Sequence, residues 1–118
     1  MLADPLPDSN VLELLLWVLR LRRRVRVTGA SMIPTLAVDD EVLVDTRAYD
    51  GRSPDIGEIV VARRPGREDV VMVKRVAERL PDGRLLLRGD NPAASTDSHD
   101  FGSVSPEFLV GKVTSRFA

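Results

Sequence analysis

The distribution of valine divides this chain into two unlike parts. Fourteen of its sixteen valines follow Arg24, and β-branched residues favour strands. They fall in short runs separated by turn signals such as Pro81-Asp82-Gly83. The segments that we predict as strands lie near 25–27, 41–45, 58–63, 70–76, 85–87 and 109–114. Because 118 residues support a single core, we predict one small, mainly β domain of short, mostly antiparallel strands.

The segment before Arg24 has a different pattern. Residues 1–9 contain Pro5 and Pro7 and are typical of a loose leader. Asn10 followed by Glu13 resembles a capping box, which predicts one short helix from residue 11 to about residue 21, apolar on nearly all sides. We therefore divide the chain into a leader with a helix, 1–22, and a β domain, 23–118.

Composition excludes several kinds of chemistry. The chain has no cysteine and a single histidine, His99, which excludes disulfides, cysteine nucleophiles and a four-ligand zinc site. Its net charge of -1 argues against a protein that binds nucleic acid through bulk positive charge. The best apolar run, residues 11–19 with Glu13 inside it, is shorter than the roughly 20 residues of a membrane-spanning helix. Positive charges follow this run and do not precede it, unlike in a signal peptide, so we expect a cytoplasmic protein.

The first candidate for chemistry is the loop 28–35. Gly29 allows a tight turn after a strand, Ser31 is presented at the strand end, and Pro34 stiffens the end of the loop. An exposed serine on a rigid turn suits a nucleophile, because its own backbone N–H can also face a developing oxyanion. Taken alone, the loop is explained more simply by an ordinary serine in a turn.

Lys74 is the second candidate. Side chains alternate along a strand, so Lys74 shares one face with Val70, Met72 and Val76 and is the single charge on it. Burial disfavours the ammonium form of a lysine and lowers its pKa. A neutral lysine can take the proton of a serine hydroxyl. The alternative is that the side chain extends into solvent at a strand edge.

The third candidate is the loop 89–102, which is dense in hydrogen-bonding side chains and is suited to orienting a base. It also contains His99, so a Ser-His-Asp triad is a rival to a Ser-Lys pair. Such a triad would use Ser31 or Ser98 as nucleophile and Asp97 or Asp100 to orient the histidine. Nothing in the spacing places His99 near Ser31, and we therefore favour the Ser-Lys pair.

Together, these three segments resemble the motifs of the type I signal peptidase family, in the family's order and across most of the chain, from about Val25 to Val113. The matching residues are Gly29-x-Ser31-Met32-x-Pro34-Thr35-Leu36, then Lys74-Arg75-Val76, then Gly89-Asp90-Asn91, Ser95-x-Asp97-Ser98 and Phe101-Gly102-x-Val104. The short length, the stunted helix and the ending 111–117 further resemble nickel-type superoxide dismutase maturation proteases. These compact relatives are linked to removal of the leader from the nickel enzyme's precursor.

The resemblance implies a signal-peptidase-like β-fold, also similar to that of LexA, and a serine endopeptidase. Ser31 would be the nucleophile and Lys74 the general base, with Ser95 hydrogen-bonded to the lysine amine and Asp97 in the supporting network. The substrate would lie as an extended strand with small side chains before the cut, and Met32 and Met72 are candidates to line its groove. The implied substrate is the leader of a nickel superoxide dismutase precursor, and no metal or cofactor is implied for the enzyme.

Two positions depart from the family pattern. Gly29 stands where many relatives have a serine whose hydroxyl completes the oxyanion hole, so the second donor would be the Gly29 N–H or would be missing. His99 stands where the family usually has an arginine paired with the acidic residue. Three other functions stay open: a minimal signal peptidase at a membrane, a LexA-like self-cleaving switch and a non-catalytic β-barrel binding module.

The basic run after the helix has three interpretations. It comprises Arg20, Arg22, Arg23, Arg24 and Arg26. We favour a solvated helix end and strand, with arginines that complement the helix dipole. The others are peripheral membrane contact through residues 10–26, with acidic lipid headgroups beside an apolar helix, and contact with nucleic acid. We expect Trp17 and the leucines to pack onto the β domain or a partner.

Overall fold

The computed structural model describes residues 5–91, 93 and 101–117. The helix is α1 (Val11–Val18), and a 3₁₀ turn, Pro106–Phe108, precedes the last strand. The strands are β1 (Arg23–Arg26), β2 (Glu41–Asp45), β3 (Ile59–Arg64), β4 (Arg67–Arg79), β5 (Leu85–Arg88) and β6 (Leu109–Phe117). The prediction of a mainly β domain with one short N-terminal helix is confirmed.

All six strands form one antiparallel sheet in the order β1-β2-β6-β3-β4-β5. Two apolar clusters share its central strands. Val61 of β3 and Val73 of β4 belong to the first cluster, whereas Val60 and Met72 belong to the second. Because successive residues of a strand point to opposite faces, strands covered on both sides carry continuous valine runs.

Strand β6 holds the sheet together at its centre, because it pairs with β2 along one edge and with β3 along the other. Gly111 lies in β6 between these two neighbouring strands. A Cβ atom built on Gly111 would come within 2.5 Å of the carbonyl oxygen of Asp45, so no side chain fits there without a shift of the backbone.

Helix α1 is shorter than predicted. Arg20 has a φ of 64°, and the Leu21 N–H donates to the carbonyl of Leu16 over 2.8 Å, which turns the chain away before the predicted end at about residue 21. The Asn10 side chain caps the Glu13 N–H over 2.9 Å. The Glu13 carboxylate does not return to complete a capping box and instead contacts β6. In the described part of the chain, no helix is long and apolar enough to cross a membrane.

The segment 5–9, predicted as part of a loose leader, lies alongside β6. The Arg116 N–H donates to the carbonyl of Pro7 over 2.9 Å, and the Ser9 N–H donates to the carbonyl of Arg116 over 2.8 Å. Leu6 packs against the first apolar cluster. The division of the chain after residue 22 stays a prediction.

Candidate active site

The loop that carries Ser31 begins where β1 ends, and backbone hydrogen bonds and buried side chains hold it in place. Val27 closes its base through two backbone hydrogen bonds, to the Asp40 carbonyl (2.7 Å) and from the Asp39 N–H (2.8 Å). Met32 and Leu36 are fully buried in the first apolar cluster. Ser31 is partly exposed. The core therefore fixes the loop while leaving the serine near the surface.

Lys74 lies in the middle of β4 and is only 4% exposed. Met72 and Val76, on the same face of the strand, are buried as well. This confirms the predicted strand face with one charged residue among apolar neighbours. The alternative of a side chain extended into solvent is wrong for this lysine.

Ser31 and Lys74 line one groove with a volume of about 540 Å³. Its lining comes from Arg64 and from two segments, one from Val25 to Ser31 and one in β4 from Asp69 to Lys74. The apolar lining includes Val25, Val27, Val71, Met72 and Val73. A hydroxyl and an amine that line the same groove are the groups that a serine nucleophile and its base require.

Of the two methionines predicted to line the groove, only one does so. Met72 lines it, whereas Met32 is fully buried beneath the loop and is not among the groove's lining residues. The physical reason is that the serine loop needs an apolar anchor, and the residue next to Ser31 supplies it.

The loop that follows β5 binds the serine loop directly. The Asn91 N–H donates to the carbonyl of Ser31 over 2.8 Å, and the Asn91 amide donates to the carbonyl of Ala30 over 3.1 Å. Both hydrogen bonds are accepted by main-chain carbonyl oxygens, so they hold the backbone at Ser31 independently of its side chain.

Asp90 connects the two predicted catalytic segments. Its carboxylate accepts a hydrogen bond from Thr35 Oγ1 at 2.6 Å and is bound in a bidentate manner by Arg75, at 3.0 Å from Nε and 2.9 Å from Nη2. Thr35 belongs to the serine loop, and Arg75 is the next residue after Lys74. We call Thr35, Arg75 and Asp90 the Asp90 clamp.

Sequence reasoning missed the Asp90 clamp, although its residues stand in the motifs that resemble the family's. An acidic and a basic residue beside candidate catalytic positions were the available signal. The side chains of Asp90 and Arg75 are 8% and 14% exposed. Burial by itself raises the pKa of Asp90, but the hydrogen bonds from Arg75 and Thr35 outweigh it and hold that pKa below its usual value.

Asp90→Asn is expected to destabilise the fold by about 2 kcal/mol at neutral pH, because a neutral amide cannot replace the charge-assisted hydrogen bonds that the Asp90 carboxylate accepts from Arg75. A carboxyl whose pKa is lowered by folding stabilises the folded state above its unfolded pKa of about 3.9 and loses this effect as the pH falls through the folded pKa. Urea unfolding at pH 7 should therefore show the full loss, and unfolding well below pH 4 a smaller one.

The control for this substitution is Asp50→Asn, at an exposed position, which should leave the free energy of unfolding unchanged at either pH. An equal loss for Asp90→Asn at both values would show that the ionised pair with Arg75 does not stabilise the fold.

The remaining predicted site residues fall into two groups. Gly29 lines the groove, and a Cβ atom placed on it would meet nothing within 4 Å, so the serine that many relatives carry at this position would fit. Ser95, Asp97, Ser98, His99 and Asp100 lie outside the described residues. Within the described ranges, no group of three His, Asp or Glu side chains could hold a metal ion.

Comparison with known proteins identifies the family of this chain. The sequence model of the family described as signal peptidase, peptidase S26, matches residues 10–79. The chain is similar to the probable signal peptidase I-1 of Synechocystis sp. PCC 6803, with 26% identity over 134 residues that cover 77% of this chain and 68% of the relative.

Two eukaryotic proteins are also similar. The mitochondrial inner membrane protease subunit 1 of Xenopus tropicalis is 30% identical over 108 residues, covering 75% of this chain and 65% of the relative. The mitochondrial ATP-independent inner membrane protease subunit 1a of Arabidopsis thaliana is 30% identical over 112 residues, covering 76% and 67%. The chain thus spans about two thirds of the length of these relatives. The family match includes Ser31 and Lys74, and the chain belongs to the signal peptidase family, peptidase S26.

Proposed function

We propose that this chain is a serine endopeptidase in which Ser31 is the nucleophile and Lys74 the general base. The observation that carries the proposal is that a partly exposed serine and a buried lysine line the same groove. Membership of a peptidase family supports the same reaction. The Asp90 clamp supports it further, because it ties the serine loop to the strand of the lysine.

The proposed reaction has two steps. In the first, Ser31 Oγ attacks the carbonyl carbon of the scissile bond while the neutral Lys74 amine takes the hydroxyl proton. The ammonium then gives this proton to the leaving amine, and an ester to Ser31 remains. In the second, Lys74 takes a proton from water, the hydroxide attacks the ester, and the acid product leaves as the proton returns to Ser31 Oγ.

The oxyanion that forms in both steps needs hydrogen-bond donors. We propose the backbone N–H groups of Ser31 and Gly29 for this role, in line with the absence of a side-chain donor at Gly29. Ser95 would hold the lysine amine, and Asp97, with His99 as its partner, would support the loop. Met72 would contact substrate where its side chain lines the groove.

For the substrate we propose the leader of a nickel superoxide dismutase precursor, cut in the cytoplasm. The segment 111–117, which resembles that of the maturation proteases, supports this choice. The second candidate is a minimal signal peptidase that acts at a membrane. The names of the relatives, a signal peptidase and inner membrane proteases, favour it.

Incubation with two precursors separates these candidates. Purified protein would be mixed with a nickel superoxide dismutase precursor or with a secretory precursor, and mass spectrometry would identify the new N-termini. We expect a single cut that removes the leader of the superoxide dismutase precursor. Cleavage of the secretory precursor alone would favour the second candidate. If neither is cut and an acylating probe does not label Ser31, the endopeptidase proposal is wrong.

A further inference from the structure

The candidate catalytic groove continues into a second cavity of about 250 Å³, and Val25 and Val71 line both of them. We call the groove and this cavity together the cleft. Five arginines line it: Arg23, Arg24, Arg26, Arg63 and Arg64. Among the described residues that line the cleft, Asp69 is the only carboxylate, and it lies 3.7 Å from Arg67. Since the whole chain has a net charge of -1, this excess of arginine is particular to the cleft.

Three of the five arginines have no counter-charge in the part of the chain that the structure describes. Arg23, Arg63 and Arg64 form no ion pair there, whereas the other two share the carboxylate of Glu41. The guanidinium carbon of Arg64 lies 6.0 Å from the centre of the Phe101 ring, a contact that favours one position of its charge. Guanidinium groups beside apolar side chains attract a carboxylate more strongly than they would in bulk water, because less water screens the charges.

The register of the sheet gives the distance from these arginines to the candidate catalytic pair. Lys74 is opposite Val60 and Val71 is opposite Arg63 in the pairing of β4 with β3. Arg63 therefore lies three residues along β3 from the level of Lys74, which is about 10 Å in a strand. An extended peptide advances by a similar length per residue, so a side chain about three or four residues from the scissile bond would reach Arg63.

From this arrangement we propose that the cleft selects substrates with an acidic side chain about three or four residues from the cut. Arg63 would bind that carboxylate together with Arg23 or Arg64. A guanidinium group binds a carboxylate through two parallel hydrogen bonds. A lysine at the same position of the substrate would be repelled, so the arginines discriminate as well as attract.

This inference rests on the proposed endopeptidase function and adds to it the class of substrate, an extended acidic peptide. It also changes the interpretation of the basic run after the helix, for which the sequence favoured a solvated helix end and strand. Arg23 belongs to that run and would contact the substrate.

Fluorescence anisotropy on the full chain with Ser31→Ala measures recognition without cleavage. The probes are labelled peptides of alanine and valine that differ at one central position, which is glutamate, glutamine or lysine. We expect the glutamate peptide to bind about fivefold more tightly than the glutamine peptide, and the lysine peptide to bind more weakly than either. The differences should shrink as salt is added.

Two further substitutions in the same background locate the preference. Arg63→Glu should reverse the order of the glutamate and lysine peptides, because it replaces an attractive charge by a repulsive one. Arg84→Glu makes the same change in net charge at an exposed position in the turn before β5, outside the cleft. It should leave the order of the three peptides unchanged.

Equal binding of the three peptides to the Ser31→Ala chain, or no binding, would overturn the proposal, as would an Arg63→Glu variant that keeps the original order. If Arg63→Glu does not fold, Arg23→Glu takes its place, and it should remove the preference for glutamate. The two proposals fail separately. A chain that cuts a precursor but binds the three peptides equally is an endopeptidase without this preference, whereas one that prefers the glutamate peptide and cuts neither precursor lacks the proposed reaction.

Discussion

Ser31→Ala is expected to abolish peptide cleavage and to leave the fold unchanged. Loss of the nucleophile in a serine peptidase lowers the rate by on the order of 10⁴-fold or more. The loop should keep its shape, because its anchors are the buried Met32 and Leu36 and the main-chain bond from Asn91 to the Ser31 carbonyl. Alanine retains that carbonyl and removes only the hydroxyl.

The measurement compares cleavage rate and urea unfolding midpoint for the wild type, Ser31→Ala and Ser53→Ala. Ser53 is exposed in a loop far along the chain and serves as the matched control, with no change expected in either quantity. If Ser31→Ala keeps a wild-type rate, Ser31 forms no covalent intermediate. If its midpoint falls steeply, the lost activity would be an effect on folding.

Much of the sheet could be predicted because its strands are valine runs between turn signals. The segment 41–45 coincides with β2. Strand β4 extends well beyond the predicted 70–76, because its charged ends, such as Arg67 and Arg79, pair through backbone atoms with β3 and β5. An apolar pattern carries no signal for residues that join a sheet through their backbone alone.

In the candidate site, the burial of Lys74 was predictable because this side chain contrasts with its strand face. Lys74 is the one charge on the face that it shares with Val70, Met72 and Val76, and its burial follows from strand alternation. The Asp90 clamp was not predictable in the same way, because it joins three segments that meet only in the folded chain. The exposure of the leucines in α1 was not predictable either. Apolar periodicity predicts a helix but does not say which of its sides the sheet covers.

Lys74→Arg is expected to be as inactive as Lys74→Ala, with the loss again on the order of 10⁴-fold. A general base must be neutral to take a proton. In water a lysine has a pKa of about 10.4, so under roughly 0.1% of it is neutral at pH 7. Lys74 is 4% exposed, and burial disfavours the charged form of an amine. A guanidinium stays charged in the same place and cannot act as a base.

The rate of cleavage is expected to increase with pH. Because the active form is the deprotonated amine, kcat/KM should rise with pH from neutral to mildly alkaline conditions and follow one ionisation of the free enzyme. Lys74→Met supplies the control for folding, since it keeps the volume of the side chain and removes an ionisable group from a buried position. It should be inactive and at least as stable to urea as the wild type.

The same variants separate the Ser-Lys pair from a triad built on His99. In the pair, Lys74 is the base, so Lys74→Arg is inactive, while His99→Arg loses little because it restores the residue type usual in the family. In the triad the outcome is reversed, because His99→Arg removes the base and Lys74→Arg leaves it in place. Substantial activity in Lys74→Arg would therefore move the base to His99. Unfolding of Lys74→Met would instead show that the charge of Lys74 stabilises the strand, and its burial would then give no support to a role as base.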